Sequence, residues 1–324
     1  MLQTLIALLA LIAALYGICS AVLAANPYWY SYFTIGSYVF LGIVNRALHG
    51  TSTLPDNDRT SYRQLLTLYL SYFLVGSIID VLYGRFVGGM WVYPHYSLAE
   101  EIIHVLVIGY PFAFLSVVET YFLIHFSLIR LLPRSAWQAG EGRFKPLLKF
   151  LVVVAVVPLL APLVLKGFAR AELVQKTLFL SMIGTTFLFD ALNGLGGKRS
   201  LLLQALSGKW AVTVAVLFTN VIAAIVHEVP NVYAQEWIYR DVPFTDFDVW
   251  GVNILILTFG WLFLVVTALS IREMVGQGGI PGTPHVIVGI EGQIQNREIP
   301  LLRPCCAFRT SRSPSPPLAH QDQV

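Results

Sequence analysis

Charged side chains are scarce in this sequence. They make up 12% of its 324 residues, whereas hydrophobic residues make up 56% and the mean hydropathy is +0.69. A soluble domain usually has about 25% charged residues. The shortage argues against an ordinary soluble domain. The net charge of +3 is too small and too dispersed to indicate a nucleic-acid partner.

Cysteines are few, and the common cofactor motifs are missing. Cys19, Cys305 and Cys306 are the three cysteines, which is too few for a disulfide framework. No H-x-x-x-H or paired-cysteine pattern indicates a metal site. The stretch "GLGGKRS" lacks the spacing of a phosphate-binding loop, and no G-x-S-x-G motif indicates a serine hydrolase. We therefore expect neither a metal nor another cofactor.

Long apolar runs are what the sequence has in abundance. Runs near 20 residues match the roughly 30 Å of hydrocarbon in a bilayer, so they predict an all-α polytopic membrane protein with about eight transmembrane helices. The expected spans are residues 2–24, 29–48, 64–84, 102–128, 146–166, 176–195, 210–228 and 249–272. Together they form a transmembrane domain over 1–275. Residues 276–324 are rich in Gly, Pro and Ser and are expected to form a disordered cytoplasmic tail.

The basic residues predict the orientation. With eight spans, one set of loops and the first tail residue hold twelve Lys and Arg residues, against five in the other set. The positive-inside rule then places the N- and C-termini in the cytoplasm. This arrangement describes an integral, multi-pass membrane protein.

Four sequence landmarks recur at nearly one offset. Asp80 and Glu228 are 148 residues apart, and so are Asn45 and Asn193. Two Trp-x-Tyr motifs, beginning at Trp91 and Trp237, are 146 apart, and "GY" at 109–110 and "GW" at 260–261 are 151 apart. The order predicts two tandem four-helix repeats, 1–130 and 146–275. An even number of helices makes them parallel, related by an axis along the membrane normal.

Carboxylates inside apolar spans are costly and are candidates for function. Asp80 and Glu228 are placed at corresponding helix ends, each followed by a Trp-x-Tyr motif. If the repeats bring them together, one carboxyl would act as a general acid and the other as a base. We expect Trp91, Tyr93, His227, Trp237 and Tyr239 to contact the substrate. The alternative is an interfacial aromatic belt beside solvated acids.

A second polar layer is predicted nearer the other membrane face. It contains Glu119, Asp190 and Asn193, and the last two share a helix face because they are three residues apart. Two interpretations remain open for the two acids. They either form structural salt bridges with Arg46 or Arg130, or belong to a proton or cation relay.

The elements "GGMWVYPHY" and "GYP", which follow Asp80, resemble those of membrane-embedded carotenoid cyclases of the lycopene cyclase type. The resemblance implies proton-initiated cyclisation, isomerisation or hydration of a polyene without a cofactor. The Pro-x-Glu-Glu element of that family is absent, so its acid does not transfer to a residue here. Membrane terpene cyclases are similar in chemical logic alone.

We therefore expect a membrane enzyme acting on a terpenoid or polyene lipid, with a lipid-soluble small molecule and membrane lipid as its partners. The alternative is a small secondary transporter, in which Pro111, Pro158 and Pro162 break helices and "NGLGG" forms an unwound segment. A third interpretation is a non-catalytic membrane partner or receptor.

Overall fold

Helices occupy most of each segment that the sequence analysis assigns to a span. The structure, a computed structural model, describes residues 2–56, 58–89, 91–129, 131, 141–168, 171–240 and 247–276. The predicted tail lies outside these residues, apart from Gly276. In chain order the α-helices are α1 (Leu2–Ala24), α2 (Trp29–His49), α3 (Arg59–Ser77), α4 (Leu98–Glu101), α5 (Tyr110–Ile129), α6 (Lys145–Phe168), α7 (Ala171–Leu195), α8 (Leu201–Leu206), α9 (Trp210–Ala234) and α10 (Trp261–Gly276).

Three π-helical segments adjoin these helices. Ile78–Gly88 extends α3, Ile102–Gly109 joins α4 to α5, and Ile256–Gly260 precedes α10. A 3₁₀ turn, Glu141–Phe144, leads into α6. Such π-helical stretches are rare, and they are frequent at functional sites.

Among the described residues, six helical stretches are long and apolar enough to cross a membrane, so the chain is an integral, multi-pass membrane protein. They are Leu2–Ala24, Arg59–Val87, Leu98–Ile129, Lys145–Phe168, Trp210–Ala234 and Ile256–Gly276. Helices α2 and α7 are equally long but less apolar. Their buried faces carry polar residues, among them Thr34 and Asn45 on α2 and Asp190 and Asn193 on α7.

Small residues let neighbouring helices approach closely. A Cβ added at Gly36 of α2 would lie 2.5 Å from the backbone nitrogen of Ala14 in α1. A Cβ added at Gly184 of α7 would lie 2.7 Å from the Ala155 carbonyl in α6. Small residues at a crossing are the usual solution where lipid supplies no hydrophobic drive for helices to associate.

The helix contacts follow a common plan in the two halves of the chain. Helix α1 packs on α2 and α6 on α7, while α2 packs on α5 and α7 on α10. Between the halves, α1 contacts α9, and α6 contacts the π-helical extension of α3. Helix α5 also packs on α9, and α10 packs on α3.

The chain also contains short strands that the sequence analysis did not predict. β1 (Trp91–Val92) pairs in antiparallel fashion with β2 (Ile238–Tyr239), and Trp91 lies opposite Tyr239. The two Trp-x-Tyr motifs therefore hydrogen-bond to each other across a sequence separation of nearly 150 residues. This pairing joins the two halves at one end of the bundle.

A second strand pair corrects the predicted start of the last span. β3 (Asp248–Val249) pairs with β4 (Val252–Asn253). Trp250 and Gly251 make the turn with positive φ angles of 55° and 76°, the conformation of a two-residue hairpin loop that matches strand twist. Residues 249–253 are thus a hairpin rather than membrane helix.

Candidate functional site

A cavity of about 90 Å³ lies beside the β1–β2 pair, between residues of α5, α9 and α10. We call it the aromatic cavity, because eight aromatic side chains line it. They are Tyr30, Trp91, Tyr93, Tyr110, Phe114, Trp237, Tyr239 and Trp261. Two carboxylates, those of Glu228 and Glu236, complete its polar lining among the described residues.

All three π-helical segments contribute to the wall of the aromatic cavity. Ile79 comes from the first, Val105 and Gly109 from the second, and Ile256 and Gly260 from the third. The wider turn of a π-helix shifts side chains relative to a regular α-helix. The irregular backbone is therefore concentrated around this one space.

Asp80 is fully buried directly behind the aromatic cavity. Its Oδ1 accepts hydrogen bonds from Trp91 Nε1 at 2.6 Å and from the Tyr93 hydroxyl at 2.8 Å. The Tyr110 hydroxyl is 3.4 Å from the same oxygen. Asp80 is not among the cavity-lining residues, whereas its three donors are. Its Oδ2 has no hydrogen-bond partner among the described residues.

Glu228 lies in the wall of the cavity itself. Only 2% of the residue is exposed. Its Oε1 accepts from the Tyr239 hydroxyl at 2.7 Å and from Trp261 Nε1 at 2.8 Å. Like Asp80, it is held by indole and phenol donors. Both acids depend on a Trp-x-Tyr motif and on the first residue of the following helix, Tyr110 or Trp261.

The structure separates the five aromatic and histidine residues predicted to contact substrate. Trp91, Tyr93, Trp237 and Tyr239 line the cavity, but His227 is not among the lining residues. The Nδ1 of His227 is 2.8 Å from the Tyr30 hydroxyl, and its ring centroid is 4.1 Å from that of Trp261. His227 therefore supports two residues of the wall from behind.

Glu236 is a site residue that the sequence analysis missed. It is 1% exposed and keeps Oε2 without a partner among the described residues, while the Tyr30 backbone N–H and the Tyr96 hydroxyl, which donates to the Pro27 carbonyl at 2.7 Å, lie near its carboxyl group. Tyr30 is in the first turn of α2, where backbone N–H groups lack helical partners and favour a nearby anion. Burial nevertheless raises the pKa of Glu236 well above its usual value. The adjoining Trp237 was the available signal in the sequence.

The two acids of the predicted second layer each hold a connection between helices. Glu119 accepts from Asn45 Nδ2 at 2.6 Å, from Ser52 Oγ at 3.0 Å, and from the Thr53 N–H and hydroxyl at 2.5 and 2.7 Å. This carboxylate therefore fixes the loop between α2 and α3. Asn45 also donates to the Glu119 carbonyl at 2.7 Å.

Asp190 fixes the corresponding connection between α7 and α9, where it accepts from the start of α8. It accepts from Ser200 Oγ at 2.7 Å and from the backbone N–H groups of Leu201 and Leu202 at 2.7 and 3.0 Å. Asn193 donates to the Ser270 carbonyl at 2.7 Å. The last bond corresponds to that from Asn45 to Glu119.

The loop-holding carboxylate comes from a different helix in each half. Ser52 and Ser200, which donate to these acids, are 148 residues apart. Glu119 on α5 stands 151 residues before Ser270, whereas Asp190 on α7 stands 148 after Gly42. A Cβ added at Gly42 would lie 2.9 Å from Ser52 Oγ. The first half thus has Gly42 and Glu119 at these two positions, whereas the second half has Asp190 and Ser270.

The predicted salt bridges of this layer are not what the structure shows. Arg46 instead pairs with Asp56 at 3.4 Å and donates to the Leu54 carbonyl. Arg130 lies outside the described residues. Near the aromatic cavity, Arg85 forms an ion pair with the buried Glu101. Within the described part of the chain, no group of three His, Cys, Asp or Glu side chains is arranged to hold a metal ion.

No protein-family model, curated protein or solved structure matches this chain. The resemblance to carotenoid cyclases therefore stays a prediction from the quoted motifs.

Proposed function

We propose that the protein is a membrane-embedded enzyme that acts on a terpenoid or polyene lipid by carboxylate acid–base chemistry. One observation carries the proposal. A cavity with eight aromatic side chains has Glu228 in its wall, while Asp80 lies directly behind three of the aromatic donors. Buried carboxylates in a membrane helix are costly, and these are gathered around a single space.

Glu228 is the catalytic residue in this proposal. As the acid, it transfers a proton to a carbon–carbon double bond of the substrate and leaves a carbocation. The ring faces of the wall stabilise a cation by roughly 0.5–2 kcal/mol each. The Glu228 carboxylate then takes back a proton, either from a neighbouring carbon to give a cyclised or isomerised product, or from an added water to give a hydrated one. The reaction is redox-neutral.

Asp80 is a positioning residue, since it acts through side chains that line the cavity. Its carboxylate accepts from Tyr93 and Tyr110 and so fixes the direction of both hydroxyls. Burial raises the pKa of Tyr93 well above its usual value, and this hydroxyl therefore keeps its proton. The chain thus presents fixed dipoles in the wall of the cavity that Glu228 also lines, and such preorganised groups contribute strongly where charge develops.

The size of the cavity bears on the substrate. A cavity needs about 10–15 Å³ to hold one water. The aromatic cavity, at about 90 Å³, therefore accommodates one ring-sized group and not a complete polyene. We propose that one end of a linear isoprenoid enters, while the rest of the chain stays among the apolar side chains and lipid. The lining residues Val105, Met182, Ile256 and Leu264 suit such a chain.

The same proposal includes eight membrane spans and an internal duplication, with both termini in the cytoplasm. Helices α2 and α7 supply the two less apolar spans. The matching helix contacts, the paired Trp-x-Tyr motifs and the matching bonds of Asn45 and Asn193 support two related four-helix units.

The test is product analysis in membranes that contain the full chain. Acyclic isoprenoid alcohols and polyene hydrocarbons are supplied in D₂O buffer, and the products are examined by mass spectrometry. A cyclised or isomerised product that carries one deuterium supports the proposal. We expect Glu228→Gln to lower turnover by about 100-fold or more, the usual share of general acid catalysis. Asp80→Asn should lower it less.

Glu100→Gln is the matched control. Glu100 accepts from Ser97 and Tyr28 near the same end of the bundle, but it is not among the cavity-lining residues. It should retain full turnover. Full turnover in Glu228→Gln at equal protein level, or no altered lipid from the unsubstituted chain, would refute the proposed function.

The transporter alternative has less support from the geometry. Glu119 and Asp190 are each occupied by hydrogen bonds from a loop, which is a structural role. Pro158 and Pro162 lie within the continuous helix α6, and "NGLGG" ends α7 without unwinding its interior.

A further inference from the structure

Glu228 lines a second pocket besides the aromatic cavity. This pocket has a volume of about 340 Å³. We call it the polar pocket, because Asn231, Gln235, Asp248 and Asn253 contribute to its lining. Glu228, Trp237 and Tyr239 belong to the linings of both spaces. These three side chains form the partition between them.

The polar pocket is suited to water. It is much larger than the roughly 10–15 Å³ that one water needs, and it offers several hydrogen-bonding side chains. Gln235 and Asp248 are exposed, so the pocket adjoins the aqueous phase at the end of the bundle. The aromatic cavity, in contrast, is lined almost entirely by rings and aliphatic groups.

The elements that form the polar pocket explain why it opens on one side of the bundle. The β3–β4 hairpin stands over the C-terminal end of α9, where Gln235 ends the helix with a positive φ of 51°. Gly251 in the hairpin turn approaches Val232, since a Cβ added to this glycine would lie 3.0 Å from Val232 Cγ1.

Asp80 and Glu228 differ in their access to the polar pocket. Asp80 lines neither the aromatic cavity nor the polar pocket. It is fully buried behind Trp91 and Tyr93. Glu228 is nearly as buried, but its Tyr239 partner is half-buried and reaches both spaces.

We propose that Glu228 exchanges its proton with bulk water through the polar pocket and that Asp80 is closed to this route. Between turnovers, the proton on Glu228 then exchanges with water by way of the pocket and the Tyr239 hydroxyl. The role in turnover rests on the proposed function, whereas the exchange itself requires no substrate.

The experiment is hydrogen–deuterium exchange of carboxyl groups, followed by infrared spectroscopy on the full chain in lipid bilayers. No substrate is added, and the buffer is acidic enough to protonate both groups. The C=O bands are assigned by difference with Glu228→Gln and Asp80→Asn. On transfer to D₂O, the Glu228 band should shift at least about tenfold faster than the Asp80 band, as expected for a group that exchanges without local opening.

Val232→Trp tests the route. Val232 lines the polar pocket and is not among the residues of the aromatic cavity. The larger side chain should slow exchange of Glu228 and leave that of Asp80 unchanged. If this variant does not fold, Val232→Phe introduces a smaller side chain for the same test. The exchange rates of Glu228 and Asp80 in the unsubstituted chain test the proposal without any substitution in the pocket.

Equal exchange rates for the two carboxyls would overturn the inference. So would a folded Val232→Trp variant in which Glu228 exchanges as fast as before. A protein that alters no lipid but shows fast exchange at Glu228 would refute the proposed function and retain the proton route.

Discussion

Trp91 and Tyr239 face each other across the β1–β2 pair, and each donates a hydrogen bond to a different buried carboxylate. Their ring centroids are 6.4 Å apart with an interplanar angle of 83°. Trp91 reaches Asp80, and Tyr239 reaches Glu228. The strand pair thus connects the two acids mechanically, although they belong to helices from opposite halves of the sequence.

Trp91→Phe should destabilise the protein. The change preserves an aromatic ring but removes the indole N–H that donates to Asp80 at 2.6 Å. A hydrogen bond to a charged group contributes about 1.5–3 kcal/mol. We expect a loss of this size in the free energy of unfolding, measured by denaturant titration in detergent micelles. Trp250→Phe is the control, because Trp250 is 66% exposed. Equal stabilities for the two variants would contradict the role of the Trp91–Asp80 bond.

Gly76→Ala should displace Tyr110 from Asp80. A Cβ at this position would lie 2.5 Å from both Cβ and Cγ of Tyr110, and the Tyr110 Cβ moves only with the helix backbone. Overpacking of this kind costs about 1–3 kcal/mol. We expect lower thermal stability and, if the proposed function holds, a lower kcat. Gly167→Ala meets no atom within 4 Å and serves as the control. A fully stable and active Gly76→Ala protein would exclude this close contact.

Transfer of the loop-holding carboxylate from position 119 on α5 to position 42 on α2 should restore stability lost on removal of Glu119. Glu119→Ser removes the acceptor for Asn45 and Thr53, at about 1–3 kcal/mol for each buried donor left unpaired. Gly42→Asp alone places a second carboxylate beside Glu119. The double variant reproduces the arrangement of Asp190 with Ser270 in the other half, so it should be more stable than the sum of the single effects predicts.

A double-mutant cycle measures this coupling. Residues in one hydrogen-bond network usually show coupling of about 0.5–3 kcal/mol, and we expect a favourable value in that range from unfolding titrations. The side chain of Leu54, 2.6 Å from the added Cβ, must rotate to admit Asp at position 42. Strictly additive losses would show that the two halves do not hold their loops in equivalent ways.

Glu236 should make stability fall as the pH rises. Burial raises its pKa in the folded protein above the ordinary value of 4.5. The folded state therefore binds a proton more tightly than the unfolded state, and this stabilisation is complete at pH values below 4.5. It is lost progressively as the pH rises towards the folded pKa. Glu236→Gln, which remains neutral, should remove the decline when melting temperature is measured against pH. A parallel pH profile in the variant would refute this assignment.

Much of the site could be anticipated from local sequence. Asp80 and Glu228 stand out because acids are rare inside apolar runs, and the Trp-x-Tyr motifs mark their neighbourhood. Glu236 could not be distinguished in the same way, because it follows the apolar run and reads as a loop residue. Its burial depends on Tyr30 and Tyr96, which arrive from distant parts of the chain.

The interpretation of the second layer required the structure as well. Sequence shows that Glu119 and Asp190 are costly in a membrane, but not which donors satisfy them. Either a basic side chain or backbone N–H groups can donate hydrogen bonds to a buried carboxylate. Only the packing of the chain brings the N–H of Thr53 to Glu119 and that of Leu201 to Asp190.

The sequence by itself determines that this is a helical membrane protein, since apolar runs long enough to cross a bilayer must satisfy their backbone groups within a helix. It also determines where the buried acids fall along those runs. Only the tertiary structure decides that Asp80 stands behind the aromatic cavity while Glu228 separates that cavity from a polar pocket. Those positions result from packing between helices more than 100 residues apart, whose contacts no local pattern encodes.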